Sequence, residues 1–297
     1  MTHDIQPAIT PNGPIGVFDS GYGGLTILRE IRKRLPEYDY LYLGDNARAP
    51  YGPRSFDVIY RYTLEAVEAL FARGCRLVIL ACNTASAEAL RSIQQRNLPQ
   101  LDPSRRVLGV IRPTVEAVER LSHSREVIVL GTSATIASHS YEMELQKCGD
   151  FRYFGMACPM WVPLVENFQH QTQGATFFVR RDVQKALAAS PKADTIVLAC
   201  THYPLLLDKI RRYVPQGVQV VAQGEHVAES LADYLQRHPE MEQTCCKTGK
   251  CHFLTTENTQ KFEQNAAFFM GVENLRAEHI ALPSQEAIQM FHSNSQS

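Results

Sequence analysis

The chain has 297 residues, enough for about two domains of ordinary size, and its 44% apolar and 21% charged content is that of a water-soluble globular protein. With 30 basic against 31 acidic residues the formal net charge is −1, which argues against a nucleic-acid partner. No apolar run approaches the roughly 18 residues of a membrane span, and MTHDIQPAITPNGP has neither the basic nor the apolar region of a secretory signal. A cytoplasmic protein with no membrane partner is expected.

Residues 1–13 read as a flexible lead-in. Ile15 to Phe18 is a short apolar run, read as a strand, that ends in DSGYGG; LTILREIRKRL then has helical spacing. YLYLG at 40–44 is a second strand, closing in DNARAPYG, and an amphipathic helix is predicted from Ser55 to about Ala72. RLVILA at 76–81 is a third strand and runs into CNTASAEAL, where a helix begins. RVLGVI is a fourth, followed by Arg112 and a helix with Pro113 in its first turn.

The second half repeats this plan. EVIVLGTSATI at 126–136 parallels the first unit, FRYFGMACPMWVPLVE at 151–166 the second, TIVLACTHYPLL at 195–206 the third and VQVVAQGEHVAESLADYL at 218–235 the fourth. Near-continuous apolar strands alternating with helices imply a parallel sheet covered on both faces. The predicted fold is therefore α/β. It has two pseudo-symmetric lobes, each a mostly parallel four-stranded sheet flanked by helices, with the active site in the cleft between them. The first lobe is expected to comprise 14–111 with 223–284 and the second 112–222, leaving 286–297 as a second flexible tail. Open α/β sheets bind ligands at the carboxyl ends of their strands, and the most polar, Gly-rich turns of this chain sit there.

Eight cysteines in a chain of this kind are expected to be free thiols in a reducing compartment. Two stand out. Cys82 and Cys200 occupy corresponding strand ends, each before a predicted helix and each followed by small polar residues, Asn83-Thr84 and Thr201-His202. A helix N-terminus favours a thiolate and offers N–H groups to a carboxylate. Two thiols facing each other suit a reaction that needs a base on one side and an acid on the other.

The remaining candidates surround this pair. Asp19 suits an ammonium group or a partner for a thiol, and Ser20 and the glycines after it let a ligand approach the backbone. The N–H groups of Tyr51 and Gly52 suit a second carboxylate. Glu166 and His202 are placed to move a proton near Cys200, and Thr132 and Ser133 either supply hydroxyls or cap a helix. Cys245, Cys246 and Cys251 with His252 lack a second pair at the spacing of a zinc site, so no metal is expected. No Lys stands in a Schiff-base context, and no cofactor is expected.

At these motifs the chain resembles glutamate racemase, within the aspartate/glutamate racemase superfamily. The resemblance rests on IGVFDSGYGGL at 15–25, LGDNARAPYG at 43–52, ILACNTASA at 79–87, VLGTSATI at 129–136, CPMWVPLVE at 158–166 and VLACTHYPLL at 197–206, and it extends to VENLRAEHIAL at 272–282. It implies a cofactor-independent racemase that interconverts L- and D-glutamate and supplies D-glutamate to peptidoglycan precursors. Cys82 and Cys200 match the family's proton-transfer cysteines, the former acting on D- and the latter on L-glutamate. Asp19-Ser20, Tyr51-Gly52, Asn83-Thr84 and Thr201-His202 match its substrate-binding pairs, and Asp19, Glu166 and His202 its groups beside the thiols. The family often dimerises, so a homodimer is expected. Gln223-Gly224 departs from the family's acidic residue followed by a small one, and Asn46 from a frequent Thr. Rival readings are aspartate racemase or a related superfamily isomerase, a Cys–His hydrolase using Cys200 and His202, and a glutamate-binding protein without catalysis.

Overall fold

A computed structural model describes residues 12–282. They form ten strands: β1 (Ile15–Asp19), β2 (Tyr40–Gly44), β3 (Leu77–Leu80), β4 (Arg106–Gly109), β5 (Glu126–Gly131), β6 (Arg152–Ala157), β7 (Thr195–Ala199), β8 (Gln219–Val221), β9 (Cys251–Thr255) and β10 (Ala277–His279). Two sheets result, ordered β10-β9-β2-β1-β3-β4 and β6-β5-β7-β8. Every named pairing is parallel.

The order β2-β1-β3-β4 reappears as β6-β5-β7-β8, so the internal repeat predicted from the sequence is a topological one. Both sheets are covered on both faces, and alternation within single strands shows why. Ile15 and Val17 of β1 pack with Leu28 and Ile31 of helix Gly24–Arg34, whereas Phe18 packs with Val67 and Leu70 of helix Phe56–Ala72. In β5, Ile128 and Leu130 join Val179 and Val183 of helix Gln173–Ala189, while Val127 and Val129 join Val115 and Val118 of helix Ile111–Leu121. Both side-chain sets of these strands are apolar because neither face meets water.

Three features of the first lobe go beyond or against expectation. The first lobe has six strands rather than four, because β9 and β10 extend the sheet beyond β2. β9 keeps only Phe253, Leu254 and Thr255 buried and β10 none of its three residues, so neither carries the apolar run that marks a central strand. Second, the cysteine-rich stretch joins the first lobe: Cys251 opens β9, and Cys245, in an isolated bridge, directs its thiol to the Met241 carbonyl at 3.5 Å. Third, residue 13 does not belong to a loose lead-in. Gly13 is buried, bridges to Cys245 and would drive a Cβ to 2.0 Å from the Gly74 carbonyl oxygen. The rest of the two predicted tails lies outside the described residues, apart from Asn12.

The chain returns to the first lobe after β8. Helix Gly224–Arg237 packs along helix Gly24–Arg34, and Val227, Ala228, Leu231 and Leu235 fill the seam. Among the described residues no helix is long and apolar enough to cross a membrane.

Candidate active site

A cleft of about 150 Å³ opens between the lobes, at the carboxyl ends of β1, β3, β5 and β7. Its volume is on the scale of a small amino acid. Of the predicted residues, Ser20, Tyr51, Gly52, Cys82, Asn83, Thr84, Thr132, Ser133, Glu166, Cys200, Thr201 and His202 line it. Asp19 is the exception. It lies beneath the cleft floor, 1% exposed.

Cys82 leaves β3 and caps helix Asn83–Glu88. Its sulfur accepts from the Ala85 N–H at 3.4 Å and lies 3.4 Å from the Ser20 hydroxyl. Burial, and then the negative charge of Asp19, push this thiol up to about 12, against the pull of those two hydrogen bonds. Burial likewise raises the Asp19 carboxyl, opposed by His202 and by the Gly24 and Gly21 backbone N–H groups. Asp19 Oδ2 accepts from Gly21 at 3.0 Å; Oδ1 is buried and has no partner among the described residues.

Cys200 differs from its sequence-based description. It leaves β7 into a turn, and the helical segment that follows, Tyr203–Leu206, is a single short 3₁₀ turn capped by His202. Pro204 and the turn at 201–202 displace the helix start three residues along, so no helix N-terminus bears on this sulfur. Its neighbour is an imidazole instead: His202 Nδ1 lies 3.8 Å from the sulfur and Nε2 lies 3.0 Å from Glu166 Oε1. Burial works against the imidazolium, but the Cys200 sulfur and the Glu166 carboxylate outweigh it and raise His202 to about 10. Both neighbours favour the imidazolium form. Glu166, the last residue of helix Trp161–Glu166, is thus bonded inward rather than solvated.

The glycines after Asp19 have a reason that the sequence did not reveal. A Cβ on Gly23 would sit 2.1 Å from Thr201 Oγ1 and 2.6 Å from His202 Nδ1. The backbone is bare there so that the 200–202 turn of the other lobe can approach, and Thr26 Oγ1 donates to the Thr201 carbonyl at 3.1 Å. Gly52 plays the matching part opposite Thr132, whose Cβ would be 3.0 Å from an added one. Thr132 does both things foreseen for it. Its hydroxyl accepts from the Thr135 N–H and lies 3.0 Å from the Thr84 hydroxyl across the cleft. The Tyr51 side chain turns away and donates to Asp45, leaving its backbone to the cleft.

Sequence reasoning missed one wall. Cys158, Pro159, Val162 and Pro163 line the cleft beside Glu166, and Pro50 and Pro53 line it beside Tyr51. Two clusters of proline flanking an aromatic or a Gly, in APYGP and CPMWVP, were the available signal. Cys158 is fully buried, and burial raises its thiol as it does that of Cys82. Among the described residues no group of three or more His, Cys, Asp or Glu is placed to hold a metal ion.

A model of the Asp/Glu/hydantoin racemase family matches residues 25–231. The glutamate racemase of Ruegeria sp. (strain TM1040) is 42% identical over 271 residues, covering 86% of this chain and 96% of that protein. Among solved structures, a glutamate racemase isoform from Bacillus anthracis superposes with a TM-score of 0.83 at 32% identity, over 91% of this chain and 98% of that one. Glutamate racemase from Francisella tularensis in complex with D-glutamate superposes with a TM-score of 0.81 at 27% identity, over 92% and 99%. The two-lobed architecture is that of these enzymes, and the chain belongs to the Asp/Glu racemase family of isomerases, alongside its glutamate racemases.

Proposed function

We propose that this racemase interconverts L- and D-glutamate without a cofactor, through Cys82 and Cys200 acting on opposite faces of Cα. The observation that carries the reading is the placement of two thiols at equivalent strand ends of two lobes, lining one cleft of amino-acid size. The lobes are taken as 14–111 with 223–284, and 112–222, meeting at that cleft. In the cytoplasm the product D-glutamate would enter peptidoglycan precursors.

The α-hydrogen of an amino acid is a very weak acid, and no conjugated cofactor takes up the carbanion. Donors aimed at the α-carboxylate must carry the charge instead. The start of helix Asn83–Glu88 supplies N–H groups, and Thr84 and Thr132 supply hydroxyls. The backbone of Tyr51 and Gly52 takes the side-chain carboxylate, and the unpartnered oxygen of Asp19, behind Ser20, provides negative potential for the ammonium group. For L-glutamate, a Cys200 thiolate takes the Cα proton, breaking C–H and forming S–H. The Cys82 thiol delivers its proton to the opposite face, breaking S–H and forming C–H. His202 supplies the positive charge that a thiolate beside it requires. Turnover leaves the two sulfurs with exchanged protonation states, so each needs a route to reset: His202–Glu166 on one side, Ser20 and Asp19 on the other.

The test is chiral chromatography of purified protein with L-glutamate or L-aspartate and no added cofactor. Conversion of glutamate to its enantiomer, surviving dialysis against a chelator, supports the reading. Conversion of aspartate alone, or activity lost on chelation and restored by zinc, overturns it.

A further inference from the structure

Gln223, between β8 and helix Gly224–Arg237, is 2% exposed and makes four side-chain hydrogen bonds to three other elements. Its Nε2 lies 2.8 Å from Thr114 Oγ1, 2.8 Å from the Tyr141 hydroxyl and 3.1 Å from Asn83 Oδ1; its Oε1 accepts from Asn83 Nδ2 at 2.5 Å. The protons of the two hydroxyls are already committed. Thr114 donates to the Val110 carbonyl at 2.6 Å and Tyr141 donates to Asn83 Oδ1 at 2.7 Å. A hydroxyl has one proton to give, so Thr114, committed to a backbone carbonyl, can only accept from Gln223; with Nε2 on that side, Oε1 faces Asn83 Nδ2, and Asn83 Oδ1 is left to accept from Tyr141.

This fixes the direction of every amide in the chain of bonds. The Nε2 side must face Thr114 and Tyr141, so Oε1 faces Asn83 Nδ2. The Asn83 amide is oriented in turn, its oxygen accepting from Tyr141 and its Nδ2 donating to Gln223 Oε1. We infer that Gln223 is a positioning residue, a buried amide that locks the side chain of the cleft residue Asn83 in one orientation beside Cys82. A carboxylate at 223 would set acceptors against acceptors at Thr114 and Tyr141, and an apolar residue would leave Asn83 Nδ2 without its acceptor and the two hydroxyl oxygens without their donor. The four residues come from helices Asn83–Glu88, Ile111–Leu121 and Ser140–Lys147 and from the start of Gly224–Arg237, so the same bonds register both lobes on the cleft wall.

The inference rests on the racemase reading in that Asn83 contacts the bound amino acid. It is tested by steady-state kinetics in both directions for Gln223→Met, Asn83→Ala and their double variant. Tyr141→Phe serves as an independent removal of an orienting hydroxyl. Gln223→Met and Tyr141→Phe should each raise KM for both enantiomers about tenfold, with a smaller change in kcat. Adding Gln223→Met to Asn83→Ala should cost less than about a further twofold in kcat/KM, because the residue through which it acts is gone. Equal losses in the two backgrounds, or none in the wild-type background, overturn the proposal. Should Gln223→Met fail to fold, an unchanged KM in Tyr141→Phe overturns it alone. Wild-type protein that turns over no glutamate contradicts the racemase reading instead. The orientation is then read without substrate, by NMR hydrogen exchange of the Asn83 side-chain amide: protection lost in Tyr141→Phe sustains the lock, and protection unchanged refutes it.

Discussion

Cys82 and Cys200 stand at equivalent ends of β3 and β7, the two strands that hold the same place in the repeated sheet order, yet their surroundings have little in common. Cys82 caps a helix, touches Ser20 and feels the buried charge of Asp19. Cys200 has no helix start and is instead flanked by His202, whose ring is held by Glu166 and biased toward its cationic form. Backbone symmetry therefore fixes where the two sulfurs are, and asymmetric side chains fix how each exchanges its proton. The same backbone could not give both sulfurs one environment in any case. A substrate stereocentre presents a different face to each lobe.

The largest expected effect tests whether both sulfurs are needed. Cys82→Ser and Cys200→Ser should each reduce racemisation by at least about 10³-fold, since a hydroxyl is far less acidic than a thiol and cannot supply the ionised base. Thermal melting should show that both variants remain folded. Near wild-type turnover in either one would remove that sulfur from the mechanism.

Next come the groups that make the two sides differ. Asp19→Asn and His202→Asn should each lower turnover by roughly 10²–10⁴, unequally in the two directions. The equilibrium between enantiomers cannot move, so kcat and KM must change together in each direction. Equal losses in both directions would erase the distinction between the two sides.

Glu166→Gln should act more mildly and through pH. His202 is raised to about 10 in part by Glu166, so the alkaline fall in activity should move to lower pH in the variant. The same residue affects stability. A folded-state value above the ordinary one near 6.5 contributes stability that is complete below that pH and is lost as pH rises through about 10. Glu166→Gln should flatten the decline of the melting temperature over that window, and an unchanged profile would place the cation elsewhere.

The smallest effect concerns the third thiol of the cleft. Cys158→Ala should leave kcat/KM within about twofold, because this sulfur is buried against the Met156 carbonyl at 3.9 Å, and burial and then Asp182 hold the thiol neutral against the pull of Arg181. A large loss would mean that the wall at 158–163 does more than exclude water.

What the sequence disclosed followed from local chemistry. Central strands are legible because a strand buried on both faces must be apolar throughout, as in LVIL of β3 and TIVLA of β7. The thiols are legible because each ends such a run before small polar residues. β9 and β10 were not, because an edge needs no apolar run, and CHFLT was seen for its cysteine instead. The helix start assumed at Cys200 failed for a related reason: a turn and a 3₁₀ segment carry the same composition as a helix N-terminus. Gly23 and Gln223 were visible only as a Gly-rich loop and an unusual residue. Their roles depend on Thr201, Tyr141 and Asn83, partners between 82 and 178 residues away in sequence, and only the meeting of the lobes brings these together.

The central claim, one sulfur for each face, is tested most directly in deuterated water with wild-type protein, early in the conversion of L-glutamate. A Cys82 thiol that has exchanged with solvent would deliver deuterium, so the D-glutamate formed should carry deuterium at Cα while recovered L-glutamate keeps its protium. D-glutamate that retains protium, or deuterium washing into L-glutamate faster than inversion, would mean that a single base serves both faces and would contradict the account.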